Sequence, residues 1–351
     1  MITAANDTAV VILSYNSRKW HELFLPGIVR ESRSGYDVIV VDHCSPDDTS
    51  DFIRNNFPDV GLIRLEENHG FAWGYAEALK QIKAKYYILL SADFEVTTGW
   101  YAPLHTFMES HPDIAACQPK VRYYREKEYF EYAGAAGGFM DKWGYLFCRG
   151  RIFSTLEKDH GQYDSNMAVF WASGGCLMLR SDIYHQVGGL DPDLYAHMEE
   201  VDLCWRMKNA GYRIACTSQS TVFHVGGSII TYGSPQKTFY NFRNNLILLL
   251  KNDKASRLWW LLPLRLILDG IAGVQFLFKG DFKNIIAIIR AHFSFYRSFR
   301  FWSKKRKAAQ AMVKQRNEEG IYPKSIILGY FLQSKKTFSN LKFDQTAALI
   351  K

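Results

Sequence analysis

The segment VIVVDHCSPDDT (residues 38–49) decides the fold, because an unbroken apolar, β-branched run ends there in an acidic, turn-forming cluster. Two other runs have the same apolar character, AVVIL (9–13) and YYILL (86–90), and VGLIRL (60–65) is a weaker one. Continuous rather than alternating apolar residues are typical of strands buried on both faces of a parallel sheet. Helix-like stretches separate the runs, near 17–32, 48–56 and 70–83. This alternation predicts a doubly wound α/β domain.

Polar residues stand where the predicted strands end. The strand ends read Ser14-Tyr15-Asn16, Asp42-His43-Cys44-Ser45 and Ser91-Ala92-Asp93. Ligands bind at the carboxyl ends of the strands in an open parallel sheet, so these residues mark the expected site. Asp42 is predicted to accept hydrogen bonds from a ribose hydroxyl or a base N–H. Ser45, Asp47 and Asp48 are predicted to cap the following helix.

The segment ENHGFAWGYAEAL (67–79) predicts a helix opened by Asn68 and Gly70, whose free N–H groups could face a phosphate. Its GxxxG spacing could equally serve close helix packing. No GxGxxG or GxxxxGK(S/T) sequence occurs in the chain, which argues against a dinucleotide dehydrogenase and a P-loop NTPase.

Two carboxylates follow the buried run of LLSADFEV (89–96), at Asp93 and Glu95. Such carboxylates can hold a divalent cation on hard oxygen ligands, and the cation can neutralise a diphosphate. In an extended stretch the two side chains would share one face. A lone Asp after a strand also serves as a cap or turn residue.

A helix is predicted over 199–210, ended by Gly211. Glu199, Asp202 and Arg206 fall on adjacent positions of it, so an Asp202–Arg206 pair is predicted to be structural. Glu200 points elsewhere and is free to face a cleft. The alternative is that these acids only complement the positive end of the helix dipole.

Seven segments, in their order and spacing, resemble glycosyltransferase family 2. They are SYNS (14–17), VVDHCSPDDT (40–49), ENHGFAWGYAEAL (67–79), LLSADFEVTTGW (89–100), WASGGCLMLR (171–180), GGLDPDLYAHMEEVDLCWRMKNAGYRI (188–214) and FHVGG (223–227). The resemblance covers about residues 8–230. It implies a GT-A fold (Rossmann-like, a mostly parallel sheet flanked by helices), a nucleotide-diphosphate-sugar donor, an inverting transfer and a divalent metal, Mn²⁺ or Mg²⁺.

The resemblance also implies roles for individual residues. The nucleotide sugar would be bound by Tyr15, Asn16, Asp42, Asn68, Gly70, Ser91 and Ala92. Ser91-Ala92-Asp93 corresponds to the metal-binding element of the family, with Ser91 in place of its first carboxylate. Asp93 and His224 would therefore bind the metal, and Glu95 could add a ligand only if it turned inward. Glu200, one methylene longer than the family's usual Asp, would be the general base.

Residues on the acceptor side are expected around the turn Ser173-Gly174-Gly175. Trp171 and Gly174 would border the acceptor, with Glu199 and Asp202 in support, although Trp171 could equally be a core residue. The aromatic residues of 131–153 could stack on sugar rings, and Arg149 or Arg151 could meet a phosphate. Ordinary packing is the alternative for that segment.

The charge of the chain is divided unevenly. Its net charge is +8, but residues 251–351 contain 20 basic and 6 acidic residues, against 23 and 29 in residues 1–250. The predicted domains are 1–235, with a nucleotide-binding half of about 1–95 and an acceptor half of about 96–235, and a basic, amphipathic helical region at 236–351. Such asymmetry indicates a polyanionic partner, nucleic acid or membrane.

Two stretches of the basic region bear on a membrane. Residues 258–278 are nearly long enough to span a bilayer, but Arg265 and Asp269 near the middle are costly in hydrocarbon. Residues 282–302 are predicted to lie on an anionic membrane surface, or else to form a helical subdomain packed on the body. No nucleic-acid-binding motif accompanies the charge, so a nucleic-acid partner is not expected.

The six cysteines form no CxxC pair, and the sequence begins without a basic region followed by an apolar one. Both features favour a cytoplasmic protein. The basic, amphipathic tail adds the expectation that it is peripheral on the inner face of the cell membrane. The expected function is transfer of a sugar to a hydroxyl of a glycan or lipid-linked glycan, in cell-envelope polysaccharide biosynthesis. The alternatives are a pseudoenzyme that binds nucleotide sugar or glycan without turnover, and a polyprenyl-phosphate sugar transferase.

Overall fold

The computed structural model describes residues 1–132, 134–226, 233–342 and 350 of the chain. Within these residues the strands are β1 (Ile2–Thr3), β2 (Thr8–Ser14), β3 (Tyr36–His43), β4 (Gly61–Leu65), β5 (Ile82–Lys83), β6 (Tyr86–Ser91), β7 (Phe94–Val96), β8 (Ile114–Tyr123), β9 (Gly138–Asp141), β10 (Leu146–Cys148), β11 (Arg151–Ile152), β12 (Thr155–Leu156), β13 (Met167–Val169), β14 (Cys176–Arg180), β15 (Arg213–His224) and β16 (Ile321–Tyr322). The helices are α1 (Arg18–Glu31), α2 (Thr49–Asn56), α3 (Phe71–Leu79), α4 (Tyr101–Ser110), α5 (Ser181–Gln186), α6 (Glu199–Asn209), α7 (Pro235–Asn252), α8 (Ala255–Phe278), α9 (Phe282–Arg297), α10 (Phe299–Ala311) and α11 (Ile326–Leu332).

A mixed central sheet carries the site. Its order is β13-β15-β8-β14-β6-β2-β3-β4, and β7 pairs with β15. The run β6-β2-β3-β4 is parallel, as the apolar runs predicted. Ser14 lies opposite Asp42 and Leu13 lies opposite Ser91, so the carboxyl ends of three strands meet at one edge.

The parallel strands are buried on both faces. Val11 and Leu89 pack into one apolar cluster, while Val10 and Ile88, the neighbouring residues, pack into the cluster on the other face. Full burial of one such side chain stabilises the fold by roughly 1.5–3 kcal/mol. Because both faces of these strands are buried, polar residues do not alternate with apolar ones along them.

Residues 120–170 are rich in Tyr, Gly and charge without a clear period, which predicts an irregular insertion, and this prediction is wrong for part of the segment. Residues 138–156 form β9 to β12, and these strands build a second, five-stranded sheet with β16. Each strand has only two to four residues, too few for a period to show in the sequence. Gly144 and Gly150 turn the chain with φ of 82° and 104°, conformations that favour glycine.

After Gly211 the apolar residues predict two short strands, at 213–216 and near 221–224, but the structure has one strand there, β15. It pairs with β8 throughout, with a register shift between Thr217 and Thr221. The irregularity breaks the apolar pattern without ending the strand.

The chain after residue 235 is helical as far as Ala311, as predicted. A cluster of Leu246, Ile247, Leu250, Phe295 and Trp302 packs α7, α9 and α10 together. The helical prediction is wrong at Ile321–Tyr322, which join the second sheet beside β9. Residues 343–349 and 351 of the predicted basic region lie outside the described residues, as does Gly227.

Candidate active site

The ends of β2 and β3 form a hydrogen-bonded cradle. Asp42 is fully buried, and its carboxylate accepts the N–H of Ser45 over 3.0 Å and the hydroxyl of Ser50. Ser45 Oγ accepts the N–H of Asn16 over 3.0 Å, which holds Asn16 at a φ of 49°. Tyr15 beside it is 44% exposed and faces solvent. Each Asp42 oxygen keeps a lone pair, so the residue retains capacity for a ligand.

The two acidic residues that follow Ser45 in the sequence, Asp47 and Asp48, bond to other groups of the protein. Asp47 accepts the N–H and the hydroxyl of Thr49 over 3.1 and 2.6 Å at the start of α2. Asp48 forms an ion pair with Arg18 and makes no side-chain cap bond. Of the three residues predicted to cap α2, only Asp47 bonds to its first turn. Ser45 instead accepts the N–H of Asn16, in the loop after β2.

The start of α3 packs against a second segment of the chain. Asn68 Oδ1 accepts the N–H of Gly70 over 3.1 Å. Gly70 has a φ of 95°, and a Cβ there would come within 2.5 Å of the Tyr195 ring. The N–H of Ala72, one of those expected to face a phosphate, donates to the carbonyl of Tyr195 over 3.0 Å. A glycine is therefore required at position 70, both by the positive φ of the backbone and by the close contact with the Tyr195 ring.

A buried acid–histidine cluster stands beyond β6. Asp93 Oδ2 lies 3.3 Å from His224 Nε2, and Glu131 Oε1 lies 3.2 Å from His224 Nδ1. The His224 ring stacks on Phe94 with centroids 4.2 Å apart. Burial alone would lower the pKa of His224, but the carboxylates of Glu131 and Asp93 outweigh it and raise the pKa to about 10.

This cluster fits a divalent cation. Asp93 and His224 present one oxygen and one nitrogen 3.3 Å apart, close enough to share an ion that would replace the proton held by the raised pKa of the ring, and this donor set suits Mn²⁺. Glu131 contacts the other ring nitrogen, as the outer partner of a metal-bound histidine commonly does. Glu95 takes no part in the cluster, because it forms an ion pair with Lys127 over 2.6 Å.

Glu200 lies at the start of α6, behind a strained loop. Tyr195, His197 and Met198 have φ of 67°, 67° and 71°, which are costly for residues other than glycine. Strain of this kind persists where surrounding contacts over-determine the backbone, and here it directs Glu200 into a cavity of about 350 Å³.

Glu200 Oε2 and His197 Nε2, two buried polar atoms of the cavity, have no hydrogen-bond partner among the described residues, and neither has Arg265 Nε in the cavity wall. Buried polar atoms are nearly always paired, so these two indicate a place for a polar ligand. Burial raises the pKa of Glu200 to about 7. Burial, reinforced by the charge of Lys237, lowers the pKa of His197 to about 4. A neutral imidazole therefore accompanies a carboxyl group that titrates near neutral pH.

The cavity is lined by α6, α7, α8 and the second sheet. Its aromatic and cationic residues include Tyr132, Tyr145, Phe147, Arg151, Phe153, Trp171, Lys237 and Arg265. Arg151 lies 3.2 Å and Lys237 5.5 Å from the centre of the Tyr132 ring, so two cations contact one aromatic ring. Burial lowers the pKa of Lys237 to about 8, and Arg151 adds to that effect.

Trp171 is both a core residue and part of the cavity wall. It is 6% exposed and donates to the carbonyl of Phe139 over 3.1 Å, yet it forms part of the cavity wall. Gly174 lies against Glu200. Arg149 is buried on the carbonyls of Ala136 and Ser165, so of the two arginines proposed for a phosphate only Arg151 reaches the cavity.

Asp202 is structural, as the helix spacing predicted. It is fully buried, lies 2.8 Å from both Arg206 and Lys251, and accepts from Asn252 over 2.8 Å. Burial would raise its pKa, but Arg206 and Lys251 hold the pKa well below the usual range. Glu199 is buried beside Glu200, and both effects raise its pKa well above normal.

Sequence reasoning missed four residues of the site: Glu131, Tyr195, His197 and Lys237. Glu131 lies in a segment whose sequence shows no helical or strand periodicity. Lys237 lies in the C-terminal region that was predicted to be a separate basic, helical region. His197 could have been found from its place three residues before Glu200 in the AHMEE run.

Comparison with known proteins agrees with this architecture. A model described as Glycosyl transferase family 2 matches residues 9–188. An N-acetylglucosaminyl-diphospho-decaprenol L-rhamnosyltransferase of Mycobacterium tuberculosis is 24% identical over 279 residues, 74% of this chain and 89% of that protein. The low-salt glycan biosynthesis hexosyltransferase Agl10 of Haloferax volcanii is 19% identical over 251 residues, 70% of this chain and 76% of that one.

Two solved structures share the fold. GalNAc-T7 with UDP, GalNAc and Mn²⁺ has a TM-score of 0.53 and 17% identity, and the match covers 70% of this chain and 48% of that one. The mannosyltransferase PcManGT from Pyrobaculum calidifontis, with GDP-Man and Mn²⁺, has a TM-score of 0.52 and 15% identity over 88% of this chain and 86% of that one. Fold and site together define a glycosyltransferase with a GT-A fold. The chain belongs to glycosyltransferase family 2.

Proposed function

We propose that this protein is an inverting glycosyltransferase that moves a sugar from a nucleotide-diphosphate sugar to a hydroxyl group of a glycan or lipid-linked glycan. The observation that carries the proposal is Glu200, whose buried, unpartnered oxygen lines a cavity next to the donor edge of the sheet. A carboxyl group with a pKa of about 7 suits a base that works near neutral pH.

Glu200 takes the proton of the acceptor hydroxyl while that oxygen attacks the anomeric carbon of the donor. The bond from this carbon to the diphosphate oxygen breaks, and the configuration at the carbon inverts. His197 Nε2 accepts or donates a hydrogen bond that orients the acceptor. One carboxylate is sufficient, because the nucleoside diphosphate leaves without needing a proton.

The donor binds at the strand ends. Tyr15, Asn16, Asp42 and the segment Ser91-Ala92 contact the nucleoside, and Asn68 with Gly70 shapes the far wall. Asp93 and His224 would hold the divalent ion, which supplies positive charge to the leaving diphosphate. Glu131 keeps the His224 ring in place for that purpose.

The acceptor occupies the cavity beside Glu200. Aromatic walls such as Trp171 and Phe147 suit a sugar ring, and the cations Arg151 and Lys237 suit a phosphate attached to it. The rhamnosyltransferase relative, whose acceptor is N-acetylglucosaminyl-diphospho-decaprenol, supports this choice. We place the reaction at the cytoplasmic face of a membrane, with the enzyme peripheral to it.

The test is a thermal-shift panel of nucleoside diphosphates and nucleotide sugars, with and without Mn²⁺ or Mg²⁺. Binding to the native state raises its stability, by about 2.7 kcal/mol when the ligand stands at 100 times its Kd. We expect one donor to give a metal-dependent shift that Asp93→Ala and His224→Ala abolish and Glu200→Gln retains. The absence of any responder, or an unchanged response in Asp93→Ala and His224→Ala, would contradict the proposal.

A further inference from the structure

Helix α8 turns the two charged residues of its middle inward and many of its apolar residues outward. Arg265 and Asp269 are 2% and 1% exposed, whereas Ile267, Ile271 and Phe278 are 62%, 53% and 88% exposed. The other large apolar side chains exposed on α8 are Trp259, Leu266, Val274 and Leu277. A surface helix in water has the opposite arrangement, with its apolar stripe against the core.

The two inward charges are satisfied inside the protein. Arg265 lies 3.1 Å from Asp269 and 3.9 Å from the centre of the Tyr145 ring. His292 of α9 contacts the other oxygen of Asp269 over 3.0 Å. The charges that argue against hydrocarbon contact therefore face α9 and the second sheet, and the exposed face of α8 carries no charge from 258 to 278.

Helix α9 continues the apolar surface and adds a basic edge. Phe282, Ile286, Ile289 and Phe293 are exposed at helical spacing. Three exposed cations, spaced seven residues apart, lie beside this apolar stripe: Lys283, Arg290 and Arg297. From residue 254 to 316 the sequence has 14 basic residues and only two acidic ones, Asp269 and Asp281. Asp269 is buried, and the carboxylate of Asp281 caps α9. Apolar groups bordered by cations fit an anionic bilayer surface.

We propose that the outer face of α8 and α9 inserts into the boundary between headgroups and acyl chains of an anionic bilayer. Helix α8 is long and apolar enough to span a membrane, and 17% of its most apolar stretch is buried. Leaving the body to span would break the contacts of Arg265 and Asp269 with Tyr145 and His292, so the helix lies in the interface. Insertion differs from attraction by charge alone, because it persists when salt screens the charges.

One consequence concerns the candidate active site. The inner side of α8 supplies Arg265 to the wall of the acceptor cavity, while its outer side faces lipid. The cavity thus lies one helix away from the bilayer, within reach of an acceptor anchored there. This consequence rests on the proposed function; the insertion itself does not depend on the sugar chemistry.

Vesicle flotation of the full chain tests the proposal. The vesicles are phosphatidylcholine with about one third phosphatidylglycerol, and a second set is phosphatidylcholine alone. We expect binding to the anionic vesicles that survives about 1 M salt, where the Debye length is about 3 Å. Ile267→Asp with Ile271→Asp should weaken it more than about tenfold, because a carboxylate resists transfer into hydrocarbon. Leu23→Asp, at an exposed position on α1, is the matched control and should bind as the wild type.

The triple variant Lys283→Gln, Arg290→Gln and Arg297→Gln separates charge from insertion. It should lose several-fold binding at low salt and little at high salt. Unchanged binding of the Ile267/Ile271 variant would overturn the proposal, and so would full release of the wild type by salt. A lipid-free dimer that this variant dissociates, without vesicle binding by the wild type, would assign the surface to a second copy of the chain instead. Donor binding in the thermal-shift panel is a separate readout, so failure of either claim is recognised independently.

Discussion

Gly174 lies directly against Glu200: a Cβ atom on Gly174 would be 3.2 Å from the Cβ of Glu200. The carbonyl of the next residue, Gly175, accepts the N–H of Ser91 over 2.9 Å. A two-glycine turn therefore connects the helix of the proposed base with the strand end that leads to Asp93. The proposed donor and acceptor sites would meet across this turn.

Gly174→Ala should displace Glu200 by a few tenths of an ångström, because the added methyl group is closer than ordinary packing allows. We expect kcat to fall about 10- to 100-fold, since small misplacements of a catalytic group are costly. Steady-state kinetics with the identified donor measures this. Gly27→Ala in α1, where a Cβ meets nothing within 4 Å, is the control and should keep full activity while stability rises by about 0.5–1 kcal/mol. Equal kcat in both variants would speak against a close fit of Glu200 to the turn.

The pH profile should report Glu200. The base acts in its ionised form, and burial raises its pKa to about 7. We therefore expect kcat/KM to rise about tenfold per pH unit below this value and to level off above it. A profile that is flat between pH 5 and about 8 would exclude Glu200 as the titrating base.

Stability should change with pH in the opposite sense. The pKa of Glu200 is raised from 4.5 to about 7 on folding, so the native state binds more protons than the unfolded chain in that window. The contribution of the protonated group is complete below the lower value and is lost as pH rises through the upper one. Glu200→Gln should therefore raise the Tm relative to wild type at pH 8, and the difference should shrink towards pH 4.5. A lower Tm for the variant at pH 8 would indicate that the carboxylate stabilises the fold.

Lys251→Met should destabilise the whole protein. Lys251 is buried, and it neutralises Asp191 and Asp202 over 2.6 and 2.8 Å. Removing one partner of a buried ion pair costs about 3–5 kcal/mol, which denaturant unfolding followed by circular dichroism can measure. Lys254→Met removes an exposed pair with Glu318 and should cost less than about 1 kcal/mol. Similar losses in the two variants would show that the buried network does not anchor α7.

The parallel half of the sheet could be predicted from the sequence because its strands are buried on both faces. The runs at 9–13, 38–41 and 86–90 carry that signal without any tertiary information. The Asp202–Arg206 pair was also predictable, since helical spacing alone places its members together. The second sheet was not, because its strands are too short to show a period.

Long-range contacts explain what local sequence patterns did not show. Arg265 and Asp269 looked like obstacles to membrane contact, and only their pairing with His292 and Tyr145 shows that they face inward. Glu131 reaches His224 from a segment without periodicity. The carbonyl of Tyr195 accepts the N–H of Ala72, one of the amides that were expected to bind a phosphate. No local pattern encodes such contacts between segments distant in the chain.

The most direct test of the account is sugar transfer by Glu200→Gln with the donor and metal identified by thermal shift. Turnover should fall about 10²- to 10⁴-fold, the contribution of a general base, while the donor-induced shift stays at the wild-type value. Glu318→Gln, at an exposed carboxylate paired with Lys254, is the matched control and should keep wild-type turnover. A Glu200→Gln variant that turns over within a few-fold of wild type would contradict the assignment of Glu200 as the base.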